Sequence, residues 1–147
     1  MSEGETVVSI PWGAINYWAV LVAGLATFLL GGLWYTALFG KLWVQLNGYT
    51  EEQVKKMQAR RPPPVFFGGM VACYLIVALV FGILVATFNV PTALAGIGLG
   101  CLLWLAMAAI SMTGHIASDK PLGLFVIDTS FQLIFLVMMG AILGSWR

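Results

Sequence analysis

The chain has 147 residues, of which 61% are hydrophobic and only 9% are charged, and its mean hydropathy is +0.96. Because soluble domains carry about 25% charged residues, this composition excludes a water-soluble domain and indicates an integral membrane protein. Seven Lys and Arg against six Asp and Glu leave a net charge of +1. We therefore expect no nucleic-acid partner, since such partners require a strongly basic surface.

Four stretches of the chain are long and apolar enough to cross a bilayer, since a spanning helix needs about 20 mainly apolar residues. They cover residues 14–39, 65–88, 92–115 and 122–146. Short links after the second and third spans predict that consecutive helices lie side by side and antiparallel. The predicted fold is an all-α membrane protein, one domain of four transmembrane helices in an antiparallel bundle.

The loop at 40–64 is the only connection long enough to hold structure of its own. Thr50 followed three residues later by Gln53 is a capping-box pattern, so a short cytoplasmic interfacial helix is expected from about Glu51 to Arg60. The residues that could contact lipid headgroups or a partner here are Trp43, Lys55, Lys56, Arg60 and Arg61. The alternative is a solvated connector whose positive charges only set the topology.

The distribution of positive charge predicts the orientation, because short cytoplasmic loops carry an excess of Lys and Arg. Six of the seven lie in the loop after the first span and the turn after the third, and only Arg147 lies on the other side, with Glu3 and Glu5 near the start. We therefore predict that both termini are on the non-cytoplasmic side.

Glycines in the spans predict close helix packing, because small residues let the backbones of membrane helices approach each other. Gly96 with Gly100, and Gly140 with Gly144, form two G-x-x-x-G faces, which could meet each other, a second copy or a different protein. The other glycines assigned to helix packing are Gly31, Gly32, Gly68 and Gly69.

Asp128 is the charged residue that falls inside a predicted span, about 10 Å along the helix from Pro121. Intramembrane carboxylates usually face the bundle interior or a wet cavity. The candidate polar site around it comprises Asp128, Gln132, Tyr35, Tyr74, Ser111 and His115. It could bind a proton or a cation, or it could be a satisfied carboxylate that holds the helices in register.

The sequence contains no recognisable catalytic or phosphate-binding motif. His115 is the only histidine, and it has no partners at metal-ligand spacing, so we predict neither an enzyme nor a metal site nor a cofactor. Cys73 and Cys101 lie at different depths, which argues against a disulfide between them.

Several segments resemble a known family. They are Asn16-Tyr17-Trp18-Ala19-Val20, Gly31-Gly32-Leu33-Trp34-Tyr35, Phe39-Gly40-Lys41, Thr50-Glu51-Glu52 and Met139-Gly140-Ala141-Ile142-Leu143-Gly144-Ser145-Trp146. These residues resemble a family of small bacterial four-span membrane proteins known only as a domain of unknown function. The resemblance implies a bacterial inner-membrane location and the four-span fold, and it implies no activity.

Three functions remain as expectations, the last of them a membrane enzyme acting on lipid, for which no nucleophile and base can be named. The first is a non-enzymatic packing or accessory subunit that works as a homo-oligomer or inside a larger membrane complex. The second is a small oligomeric transporter or channel for protons, a cation or a small solute, with Asp128 in the pathway. Besides the lipid bilayer, the expected partners are other copies of the chain or a larger membrane complex.

Overall fold

The computed structural model describes residues 9–146, which form helices and no β-strand. Glu3, Glu5 and Arg147, whose charges bear on the predicted orientation, lie outside the described residues. A 3₁₀ turn at Trp12–Ala14 comes first. The α-helices are α1 (Tyr17–Leu33), α2 (Gly40–Leu46), α3 (Glu51–Arg60), α4 (Pro63–Thr87), α5 (Ala93–Ser118) and α6 (Leu122–Ser145).

Within residues 9–146, four helical segments are long and apolar enough to cross a membrane, which confirms the predicted fold class. They are Tyr17–Leu38, which includes a π-helical turn after α1, together with α4, α5 and α6. The predicted short helix of the loop is α3, and its N-terminal capping box of Thr50 and Gln53 is formed.

The ends of the spans differ from the predicted bounds by a few residues. The first begins at Tyr17 rather than 14, because the Asn16 side chain accepts a hydrogen bond from the Ala19 N–H at 3.1 Å and caps the helix there. α4 starts at Pro63 rather than 65, because a proline in the first turn has no N–H to leave unsatisfied. α5 continues beyond 115 to Ser118 and ends where Asp119 adopts a left-handed conformation at φ 50°.

The core lies where α1, α4 and α6 meet. Its most buried members include Ala19 and Ala23 of α1, Ala78 and Phe81 of α4, and Met139 of α6. Alanines at these positions let the helices approach, and the large side chains of Phe81 and Met139 fill the space between them.

α5 packs along α6, and its contact with the other spans is slight. The expectation that consecutive helices lie side by side is therefore wrong for α4 and α5, which are joined by a short turn but barely touch along their length. The reason is the glycine face of α5, which permits a closer approach to α6 than the larger side chains of α4 allow.

The two G-x-x-x-G faces meet each other inside this chain. A Cβ added to Gly96 would collide with the Gly140 backbone, and one added to Gly100 would lie 2.5 Å from the Leu136 carbonyl oxygen. A Cβ on Gly144 would lie 2.6 Å from the carbonyl oxygen of Thr92. The backbones of α5 and α6 are therefore in direct contact over two turns.

The remaining packing glycines divide into two groups. Gly31 is buried, and a Cβ there would lie 3.2 Å from the ring of Phe131 on α6. For Gly32, Gly68 and Gly69, an added Cβ would have no atom within 4 Å. The structure thus corrects the assignment of these three to helix packing within the chain, because they lie on faces of α1 and α4 that point away from the other helices.

Candidate functional site

Asp128 on α6 receives two hydrogen bonds from the N-terminal third of the chain. The Tyr35 hydroxyl donates to its Oδ1 at 2.8 Å, and the indole Nε1 of Trp43 donates to the same oxygen at 3.2 Å. Tyr35 follows α1 and Trp43 lies on α2, so one carboxylate oxygen fastens both segments to α6. The contact of Gly123 with Leu46 places α2 against the first turns of α6 as well.

A π-helical turn at Trp34–Leu38 aims Tyr35 at this carboxylate. The Phe39 N–H donates to the Trp34 carbonyl at 2.8 Å, five residues back instead of four. Such turns are rare and are often found at functional sites. At Gly40 a Cβ would come within 2.6 Å of the Tyr35 carbonyl oxygen, so glycine allows α2 to begin directly after the π turn.

Three tryptophan indoles converge on three consecutive residues of α6. Trp34 donates to the Ile127 carbonyl at 3.3 Å, Trp43 to Asp128, and Trp104 of α5 to the Thr129 carbonyl at 2.8 Å. A buried indole N–H usually finds an acceptor, and here each acceptor lies in the same turn. Ile127 to Thr129 is therefore the point at which segments from three helices are joined to α6.

Asp128 lies near the end of its span. α6 has 24 residues, and at 1.5 Å per residue its length of about 36 Å exceeds the hydrocarbon thickness of about 30 Å. Asp128 comes six residues after Leu122, about 9 Å along the axis, so its carboxylate is at most about 9 Å below the hydrocarbon boundary of an upright helix.

A comparison with protein-family models gives one match over most of the chain. The family is described as "Protein of unknown function (DUF1761)", and its model matches residues 18–144. The chain belongs to this family. The match confirms the resemblance seen in the sequence and adds no activity. A search of the curated proteins and a search of the solved structures returned no match.

In this DUF1761 protein, Tyr74 joins the site through its ring and not through a hydrogen bond to Asp128. The ring packs against Phe131 at 6.3 Å and Phe135 at 5.9 Å between centroids. Tyr35 also packs edge-on against Phe131, at 5.3 Å. Both predicted tyrosines therefore contact the same phenylalanine, and of the two only Tyr35 hydrogen-bonds to the carboxylate.

Ser111 and His115 of α5 do not hydrogen-bond to Asp128. His115 Nδ1 lies 3.2 Å from the Ser111 carbonyl oxygen, and the imidazole packs edge-on against Phe125 at 5.4 Å. A proton relay from His115 to Asp128 would therefore have no direct hydrogen bond to support it, because α5 packs on a different side of α6.

Gln132, one turn beyond Asp128, is half-buried, and its Oε1 has no hydrogen-bond partner among the described residues; the same holds for His115 Nε2. No group of three or more His, Cys, Asp or Glu that could hold a metal occurs between residues 9 and 146.

The basic residues of the loop are exposed, whereas Trp43 is half-buried. Lys55, Lys56, Arg60 and Arg61 are exposed on and after α3, with Lys56 paired to Glu52 at 2.7 Å. The indole N–H of Trp43 donates to Asp128 and its ring packs against Tyr35, so this residue has a partner within the chain that the sequence did not predict.

Two cavities lie away from Asp128. One of about 250 Å³ is at the end of the molecule that holds the start of α1 and the ends of α4 and α6, with Asn16 and Asn89 in its lining. The other, of about 480 Å³, is an open groove along α4 that Tyr74 and Arg61 line. Neither is lined by Asp128, so neither leads to the carboxylate.

The residues that sequence analysis missed are Trp34 and Trp104, together with the inward role of Trp43. Trp34 and Trp43 lie near or just after the end of the first span, where indoles commonly mark the membrane interface, whereas Trp104 lies in the middle of α5. The π turn also has no recognisable pattern in the sequence. A signal for Trp104 was available, since it lies on the same side of α5 as the glycine face, four residues after Gly100.

Proposed function

We propose that this protein is a non-enzymatic subunit of the bacterial inner membrane, which works by packing against further copies of itself or against a larger membrane complex. The observation that supports this proposal is the hydrogen bonding of Asp128. It is the only Asp, Glu, Lys or Arg within the four spans, and its Oδ1 accepts hydrogen bonds that hold Tyr35 and Trp43 on α6. A carboxyl group that holds two segments of the same chain in place in this way supports a structural role for Asp128.

The outer face of α5 supports the association with other helices. α5 is held by α6, and its opposite face is apolar and exposed, with Leu94 at 77% and Ile110 at 71%. Small residues on this face, Ala95, Gly98, Ala106 and Ala109, recur at helical spacing and are exposed. Association in a bilayer depends on close packing at small residues, which this face offers.

The location and orientation belong to the same proposal. Six basic residues lie at one end of the bundle, in α2, in and directly after α3 and in the α5–α6 turn, and by the positive-inside rule they support a cytoplasmic location of that end. They are Lys41, Lys55, Lys56, Arg60, Arg61 and Lys120. Both termini are then on the non-cytoplasmic side.

The test is extraction of the full-length protein in a mild detergent, followed by light scattering on a sizing column. We expect either a mass of two or more chains or constant co-purification of one larger assembly. Asp128→Asn is expected to leave the assembly unchanged, because the amide oxygen still accepts both hydrogen bonds. A stable monomer without a partner, in several detergents and in nanodiscs, would contradict the proposal.

A small oligomeric transporter or channel that uses Asp128 is the second candidate. Gln132 favours this candidate, because its amide oxygen has no hydrogen-bond partner among the described residues and lies one turn from the Asp128 carboxyl group. Together the two groups offer oxygen acceptors suited to a proton or a cation. The discriminating measurement is the decay of a pH gradient in liposomes containing the wild type or Asp128→Asn. Decay with the wild type that is lost in Asp128→Asn supports transport, whereas no decay with either supports the packing subunit.

A further inference from the structure

The groove along α4 is built from one face of the helix. Its lining residues, among them Phe66, Gly69, Met70 and Tyr74, recur at intervals of three and four, and Arg61 stands at its mouth just before the helix begins. Gly69 forms part of its floor, where an added Cβ would have no atom within 4 Å. The groove is therefore an apolar channel on the lipid-facing surface with one positive charge at its end.

The length of this groove matches one leaflet of a bilayer. From Pro63, where α4 begins, to Tyr74 the helix rises about 16 Å, and half of the hydrocarbon thickness is about 15 Å. An occupant that reaches from Arg61 to Tyr74 would thus extend from the headgroup level to the middle of the membrane.

We propose that this groove binds an anionic phospholipid, with one acyl chain along Phe66, Gly69 and Met70 and with the phosphate on the Arg61 guanidinium. A guanidinium presents a planar fork of donors that suits phosphate oxygens. α3, which ends directly before Arg61, carries Lys55, Lys56 and Arg60 against Glu51 and Glu52, a net charge of +1, which favours an anionic headgroup over a zwitterionic one. The lipid site and the packing function are independent of each other.

The experiment is a measurement of lipid retention by native mass spectrometry. The full-length protein is released from micelles containing equal amounts of phosphatidylglycerol and phosphatidylcholine, and we expect preferential retention of phosphatidylglycerol. Arg61→Gln is expected to lower the retention of phosphatidylglycerol about tenfold, which is the effect of losing one charged hydrogen bond. The matched control is Arg60→Gln, which removes the same charge from an exposed residue that does not line the groove. It should change the retention of phosphatidylglycerol less than twofold, because an exposed surface charge contributes little.

A second pair of variants tests the groove itself. Gly69→Leu places a side chain in it, whereas Gly68→Leu adds the same side chain to the neighbouring position outside it; both glycines have open space, so both variants should fold. We expect Gly69→Leu alone to reduce retention. Equal losses in Arg60→Gln and Arg61→Gln, no effect of Gly69→Leu, or equal retention of the two lipids would each overturn the site. A loss of oligomer mass in Gly69→Leu without a loss of lipid would assign the groove to a second copy instead.

Discussion

The carboxyl group of Asp128 shows how an ionisable side chain inside a span can be accommodated by neutral donors. Its Oδ1 accepts from Tyr35 at 2.8 Å and from Trp43 at 3.2 Å, and neither donor brings a compensating charge. Its position within about 9 Å of the hydrocarbon boundary lowers the cost of a charge relative to the bilayer centre. Both facts favour a structural use of the residue.

Substitution of Asp128 separates hydrogen bonding from charge. In Asp128→Asn an acceptor oxygen remains, so we expect the free energy of unfolding in an SDS titration to stay within about 0.5 kcal/mol of the wild type. Asp128→Ala leaves the Tyr35 hydroxyl and the Trp43 N–H without an acceptor, and a loss of about 1–3 kcal/mol is expected. If both variants were equally unstable, the charge would be the stabilising feature and the hydrogen bonds would not.

Trp43 gives a second test at the level of one donor. Trp43→Phe keeps an aromatic ring beside Tyr35 and removes the N–H, so the free energy of unfolding should fall by about 1 kcal/mol. Hydrogen exchange of the α2 amides should accelerate, because α2 loses its polar link to α6. Trp18→Phe is the matched control, since Trp18 is 71% exposed and its loss should leave α2 exchange unchanged.

At the scale of the helices, the contact between α5 and α6 depends on the absence of side chains. A Cβ on Gly140 would collide with the Gly96 backbone, whereas Gly98, two residues away on α5, has open space around it. Collision with a backbone cannot be relieved by a rotamer change, so the helices must separate.

Gly140→Ala is therefore expected to lower the free energy of unfolding by about 1–3 kcal/mol, the cost of overpacking. Gly98→Ala, the control, adds the same methyl group to an exposed position and should be neutral or stabilising by up to about 1 kcal/mol through helix propensity. An SDS titration of each variant measures this. Equal behaviour of the two alanines would show that the close backbone contact is not needed.

At the scale of the whole molecule, three spans form a compact group and the fourth is attached to one side. α1, α4 and α6 share the core, and α5 is held by α6 through glycines and by the Trp104 indole. This arrangement leaves the outer face of α5 to lipid or to a partner helix, which is the basis of the proposed packing role.

The predicted topology can be measured with single cysteines. With Cys73 and Cys101 changed to Ala, Lys55→Cys on α3 should react with a membrane-impermeant maleimide only after the cells are opened. Asn89→Cys, in the turn after α4, should react in intact cells. Labelling in the reverse pattern would place α3 and its basic residues outside, and would overturn the predicted orientation.

Hydropathy and charge were sufficient to predict four spans, the capped helix α3 and the expected orientation, because each depends on local composition and spacing. Asp128 also stood out in the sequence, since a charge in an apolar span is conspicuous. From the sequence, Tyr35 and Asp128 were expected only to lie at a similar depth. The indole donors Trp34, Trp43 and Trp104 were not predicted, because a tryptophan in or beside a span has the same sequence pattern whether its indole faces lipid or protein.

Local sequence thus determines that this protein resides in a membrane and, to within a few residues, where its spanning helices begin and end. Only the tertiary structure decides that the two glycine faces meet within one chain and that α5 packs against α6 and not against α4. The same holds for the three indoles that donate hydrogen bonds to Ile127, Asp128 and Thr129. The physical reason is that the hydrophobic effect drives apolar segments into the bilayer, but within lipid it does not favour one apolar helix–helix contact over another. That choice is made by close backbone contact and by interhelical hydrogen bonds.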